Sequence, residues 1–117
     1  MNIEDFRDYC LSKPGVSEHF PFDNRTLVFK VGGKMFALTD VEVYSSINLK
    51  CDPEKSIELQ ETYHGIIPGY HMNKVHWNTV SVNEDVSSVF LLELIDISYL
   101  LIVNSLPKKV KNGLSLG

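Results

Sequence analysis

The chain has 117 residues, 44% hydrophobic and 22% charged, with seven glycines, five prolines and a formal net charge of −4. That composition excludes disordered and fibrous classes, and the length suits one domain burying roughly two-thirds of its unfolded surface. The acidic balance argues against a dedicated nucleic-acid binder, whose pI is usually above about 9, unless the cations gather on one face.

Asn2 followed by Asp5 reads as an N-cap with a carboxylate at N3. Ile3, Phe6 and Cys10 then fall at helical spacing until Lys13-Pro14-Gly15 stops the helix. Residues 26–31 and 34–38 are strand-like runs joined by Gly32-Gly33, a hairpin signal because a type I′ turn needs positive φ at both central positions. That turn sets Val31 against Lys34, Lys30 against Met35 and Phe29 against Phe36. Strict alternation then puts Leu27, Phe29, Val31, Phe36 and Leu38 toward the core, and Val28, Lys30, Met35 and Ala37 on an open or lightly covered face.

Residues 46–50 alternate with Ile47 and Leu49 inward. Asp52 reads as the N-cap of a helix with Pro53 at its first position, and His64-Gly65 as its end with glycine at C′. Residues 66–72 and 76–82 form a second hairpin turning at Asn73-Lys74. Residues 86–106 form a long helix, apolar but for a stripe of Glu93 and Asp96. Its most apolar run, 89–103, falls short of the ~20 residues of a membrane span, so the helix is expected to lie buried against a sheet. Lys108, Lys109 and Lys111 form a basic tail, with residues 112–117 frayed. The pattern predicts an α+β two-layer sandwich. Its antiparallel sheet has about five strands, and the N- and C-terminal helices lie on one face.

The two cysteines, Cys10 and Cys51, make no disulfide framework, and the acidic opening Met-Asn-Ile-Glu-Asp is the reverse of a secretory n-region. A cytoplasmic protein is expected. Charge is uneven: residues 25–50 carry Arg25, Lys30, Lys34 and Lys50 against Asp40 and Glu42, while residues 84–96 carry four anions and no cation.

The stretches "KPGVSEHFPF" (13–22), "VGGKMFAL" (31–38), "NLKCDPE" (48–54), "GIIPGYHMNKVHWNTV" (65–80) and "LPKK" (106–109) resemble the MmcQ/YjbR family of small bacterial proteins. The resemblance runs in matching order over nearly the whole chain, and the block Gly-Tyr-His-Met-Asn-Lys-x-His-Trp-Asn-Thr is specific. It implies a frataxin-like α/β sandwich, also described as a double wing, and a DNA-binding label drawn from fold analogy. It supplies no catalytic residues.

Residues 68–80 concentrate hydrogen-bonding and aromatic chemistry. A hairpin turning at Asn73-Lys74 sets His71 against His76 and Tyr70 against Trp77. Two facing imidazoles could share a metal with a third ligand, but no close cysteine pair is present, and the bland reading is a stacked cross-strand pair. Cys51 before a helix N-terminus could be an activated thiol or simple filler. Asp52, Glu54, Glu58 and Glu61 read as a solvated helix face. No metal site, cofactor or catalytic residue is assigned.

The remaining reading is a recognition face. Lys30, Lys34, Asn48, Lys50, Tyr70, His71, Asn73, Lys74, His76, Trp77, Asn78 and Thr79 are its candidate residues, on or beside the sheet side away from the helices. Aromatics there could stack on unpaired bases while lysines neutralise phosphates. The expected partner is DNA or another nucleic acid, with a protein partner as the alternative and no membrane.

Overall fold

The computed structural model describes residues 1–70 and 72–114. As the spacing predicts, Asn2 caps α1 (Ile3–Leu11), its side-chain oxygen 2.8 Å from the Asp5 amide, and Phe6 and Cys10 are the buried positions. After Gly15 comes β1 (Val16–His19), an edge strand the sequence reading did not anticipate. Four residues give too short an alternation to recognise, and much of what holds β1 is tertiary. It pairs with the next strand, and Arg7 of α1 grips Glu18 through two bonds of 2.8 and 2.5 Å.

β2 (Thr26–Val31) and β3 (Lys34–Asp40) turn at Gly32 and Gly33, with φ of +58° and +80°. The expected pairs Val31–Lys34 and Lys30–Met35 form, but Phe29 pairs with Ala37 rather than Phe36. Phe36 is the extra residue of a β-bulge, and one inserted residue inverts the parity of everything after it. Phe36 and Ala37 therefore both enter the core. Leu38 turns to the opposite face beside Val28, against the expectation that it points inward. Two distant partners stabilise the bulge. Phe36 meets Tyr99 edge-on with centroids 5.4 Å apart, and the buried Ser98 hydroxyl donates to the Phe36 carbonyl at 2.5 Å. The same hydroxyl accepts the Lys50 amide at 2.8 Å.

β4 (Ser46–Lys50) leads into α2 (Pro53–Thr62), capped by Asp52 as predicted. The end of α2 differs from expectation: Tyr63 is extended, and Gly65 is not among the glycines with positive φ. Gly65 matters for space instead, since a Cβ there would sit 3.0 Å from Asp85 Oδ1. That carboxylate accepts the Gly65 and His64 amides at 2.8 and 2.7 Å.

The second hairpin is shorter than expected. β5 (Ile66–Pro68) pairs with β6 (Trp77–Ser81), and of the described residues between them 69, 70 and 72–76 are loop rather than ladder. α3 (Ser88–Ser105) is capped by Ser87, and α4 (Lys108–Leu114) follows, so residues 112–114 are helical rather than frayed. The rest of the expected frayed tail lies outside the described residues. α3 is long and apolar enough to cross a membrane. Here it lies along the sheet and buries Leu91, Leu94, Ile95, Ser98, Tyr99 and Ile102.

Among the described residues the architecture is an α+β sandwich whose six strands lie in the order β1-β2-β3-β4-β6-β5, every neighbouring pair antiparallel. The main core joins Phe6 of α1, Leu59 of α2 and Leu91 and Ile95 of α3 to Phe29, Phe36, Ile47, Leu49 and Val80, so these helices share one face. A second, smaller cluster of Val28, Leu38 and Trp77 lies on the reverse face, with Met35 and Met72 against it.

Candidate recognition groove on the open sheet face

Directly paired residues of an antiparallel sheet share a face, so the ladder fixes the composition of the side away from the main core. One row runs His19, Val28, Leu38, Asn48, Thr79, Ile67. The neighbouring row holds Ser17, Lys30 and Met35, then Lys50 and Trp77.

Trp77 lies on the expected face, but its ring is not open: it is 8% exposed and packs on Val28 and Leu38 with Met35 and Met72 beside it. This corrects the expectation of an exposed indole. The bulge moves Leu38 onto this face, and the indole and Met72 cover the apolar patch that Leu38 and Val28 would otherwise present to water. Asn78 is also corrected. It faces the helices at 2% exposure, accepting Gln60 Nε2 at 2.8 Å and donating to Ser56 Oγ at 3.2 Å.

Beside the Trp77 cluster lies a groove of about 650 Å³. Leu38, Asn48, Thr26 and Ser46 contribute its floor. Its walls are aromatic, with Phe22 from the β1–β2 connection and Tyr70 from the β5–β6 loop, each 65% exposed. Arg25, Asp40, Val43 and Met72 complete the rim.

The β1–β2 connection is held by Asp23, whose carboxylate accepts the Arg25 and Thr26 amides at 2.9 and 2.6 Å. Those bonds keep Asp23 below the ordinary carboxylate pKa. Arg25 bonds Asp40 at 2.7 Å and approaches Glu42 at 3.3 Å, so its charge is shared between two carboxylates. Asp40 is itself held low, first by the Val43 amide and further by Arg25 and the Glu42 amide.

The loop carrying Tyr70 is internally tied. Asn73 Oδ1 accepts the Val75 and His76 amides at 3.0 and 3.3 Å, and Lys74 Nζ donates to the Gly69 carbonyl at 3.0 Å. The Tyr70 amide donates to Thr79 Oγ1 at 2.8 Å, and that hydroxyl donates to Asn48 Oδ1 at 2.6 Å.

Of the predicted residues, Asn48 and Tyr70 line the groove, and Thr79 supports them from below. Lys30 and Lys50 are half-buried in the adjoining row, and Asn73, Lys74 and His76 are exposed in the β5–β6 loop. Lys34, however, pairs with the core-facing Val31 beside the Gly32-Gly33 turn and so stands on the helix side, away from the groove. His71 lies outside the described residues, as does its expected pairing with His76. The expected pairing of Tyr70 with Trp77 is not made, because Gly69 takes the Trp77 carbonyl at 2.8 Å.

Among the described residues no group of three or more His, Cys, Asp or Glu side chains is placed to hold a metal. Cys51 is buried, and desolvation raises its thiol pKa against a lowering hydrogen bond with Ser56. That is the reverse of helix-end activation. Asp52, Glu54, Glu58 and Glu61 stand exposed, as a solvated face should.

Phe22, Arg25, Leu38 and Met72 were missed. The signal for Phe22 was present in His19-Phe-Pro-Phe-Asp23, where two aromatics flank a proline and so cannot both be core strand positions.

The model of the family described as YjbR matches residues 11–101. The chain is 42% identical over 107 residues to Uncharacterized protein YbdF of Escherichia coli O157:H7, covering 91% of this chain and 88% of that one. It is 32% identical over 110 residues to Uncharacterized protein YjbR of Escherichia coli (strain K12), covering 93% of each. The crystal structure of Deinococcus radiodurans protein DR2400, domain DUF419, superposes with a TM-score of 0.91 at 40% identity, over 97% of this chain and 88% of that one. A Pseudomonas syringae crystal structure does so at 0.73 and 30% identity, over 86% and 98%.

Proposed function

This chain belongs to the YjbR family, and we propose that it is a nucleic-acid-binding module whose open sheet face takes an unpaired base. The observation that carries this is the groove itself. Two exposed aromatic side chains wall a floor lined with amide and hydroxyl groups, and lysines stand one pleat away. Lys50 lies two residues from Asn48 on one strand face, roughly 6.6–6.8 Å along β4. That is the reach between a base and its own phosphate. The volume falls within the ~300–1,000 Å³ typical of ligand clefts, which admits a single ring system but not a duplex.

Stacking on an aromatic contributes about 1–3 kcal/mol per base, and here Phe22 and Tyr70 take the role expected of Trp77. Lys30, Lys50 and Lys74 supply phosphate contacts, so the log–log salt slope for a single strand is about −2. The unpaired thiols Cys10 and Cys51 suit a reducing, cytoplasmic setting.

The test is titration of labelled single- and double-stranded 10-mers at low salt. Single strands bind better, and Tyr70→Ala weakens binding by roughly 5- to 150-fold with the melting temperature retained. No binding at tens of micromolar removes the reading, since non-specific binders reach about 10⁻⁴–10⁻⁶ M at physiological salt.

One observation favours a protein partner instead. Phe22, Val43, Ile67 and Tyr70 are all exposed on or beside this face, and Arg25 is already neutralised by Asp40 and Glu42. A polypeptide ligand at the same groove predicts weak salt dependence together with the same Tyr70→Ala loss.

A further inference from the structure

We infer that Asn48 is the specificity-determining donor of this groove and that it selects a base carrying a keto oxygen over adenine; this rests on the nucleic-acid reading above. The argument begins with one proton. A threonine hydroxyl has a single hydrogen and two lone pairs. Thr79 Oγ1 accepts the Tyr70 amide at 2.8 Å, which fills a lone pair and leaves its hydrogen for another partner. That partner is Asn48 Oδ1 at 2.6 Å, a separation normal for O–H···O and short for N–H···O.

The backbone at Tyr70 therefore orients Thr79, and Thr79 orients the amide. The carbonyl end of Asn48 is engaged along the sheet toward β6. Its Nδ2, with two hydrogens, remains as the end of the side chain that can serve the groove Asn48 lines.

An asparagine reads adenine by using both ends, accepting from N6 and donating to N7. Here one of the two Oδ1 lone pairs accepts from Thr79 and turns the carbonyl along the sheet, so the amide does not present both ends to one base. Adenine has no carbonyl, and beside its N1 and N7 its amino group would meet the amide's own N–H groups. Thymine, uracil and guanine each present a keto oxygen that accepts from Nδ2. The same segment that supplies the Tyr70 wall also sets the donor, so stacking and selection are one structural unit. A single neutral hydrogen bond of this kind discriminates by roughly three- to tenfold.

The experiment uses the full chain and three labelled single strands: oligo-dT, oligo-dA, and oligo-dA with inosine replacing each adenine. Inosine keeps the purine ring and exchanges the amino group for a keto oxygen, which separates selection from stacking strength. Oligo-dT and the inosine strand should bind about three- to tenfold more tightly than oligo-dA. Asn48→Ala should bring all three within about twofold of each other. Thr79→Ser should keep the preference and Thr79→Val should lose it, a pair that serves if Asn48→Ala does not fold.

Adenine binding as well as inosine, or a preference that survives in Asn48→Ala, overturns the assignment while leaving the nucleic-acid reading intact. Failure of all three strands to bind overturns that reading and the assignment with it.

Discussion

Replacing Trp77 by alanine tests the arrangement of the open face directly. Trp77 is 8% exposed, with Val28 and Leu38 beneath it and Met35 and Met72 at its edges. A tryptophan hides about 200 Å², which at about 25 cal/mol per Å² is worth roughly 5 kcal/mol. A compact unfolded chain already buries about 10–40% of that area, leaving about 3–4.5 kcal/mol. The figure agrees with the ~3–5 kcal/mol of aromatic-to-alanine changes in cores. The assay is urea unfolding followed by far-UV circular dichroism, since the variant loses the chain's one tryptophan. At a slope near 1.5–2 kcal/mol/M, the midpoint should fall by about 2 M with the slope unchanged. A loss within ~0.5 kcal/mol, the range of ordinary surface substitutions, would refute the buried placement and restore an exposed indole.

Ala37→Glu separates the bulged register from the regular one: Ala37 is fully buried on the core side, so the variant should lose more than about 3 kcal/mol in the same assay. A near-neutral result would mean that Ala37 faces solvent. Gly69→Ala should cost about 1–3 kcal/mol and red-shift the tryptophan emission, because the new Cβ would lie 2.9 Å from Trp77 Cβ and 3.0 Å from its carbonyl; unchanged emission and stability would refute that contact. For Asp85, the Gly65 amide first, then the His64 amide, hold the folded pKa below the unfolded value. Its contribution is therefore complete above about pH 4 and is lost as the pH falls through the folded pKa. The stability gap between the natural protein and Asp85→Asn should be constant at neutral pH and shrink in acid. A gap that widens as the pH falls would refute the capping role.

What was legible in the sequence was what neighbours along the chain decide. Asn2 and Asp52 sit three residues from the amides they cap, and Gly32-Gly33 takes the positive φ that its turn demands. The family, too, could be read from blocks of contiguous residues. The bulge at Phe36 could not, because alternation assumes no inserted residue. Ser98, which takes the Phe36 carbonyl, is 62 positions away. The edge strand β1 was likewise invisible, its four residues ordered partly by Arg7 on another element.

The groove divides in the same way. Asn48 and Tyr70 were named from strand parity and residue type, whereas Phe22 and Leu38 reach it through sheet order and the bulge. By itself the sequence determined the element types other than β1 and α4, most of the caps, the first hairpin turn and the side of the sheet on which Trp77 stands, since each depends on a few bonds between near neighbours. Tertiary structure alone decided which residues on that side remain open. The inserted residue brought Leu38 across, and apolar surface so exposed draws the nearest indole over it, leaving Phe22 and Tyr70 to meet the solvent.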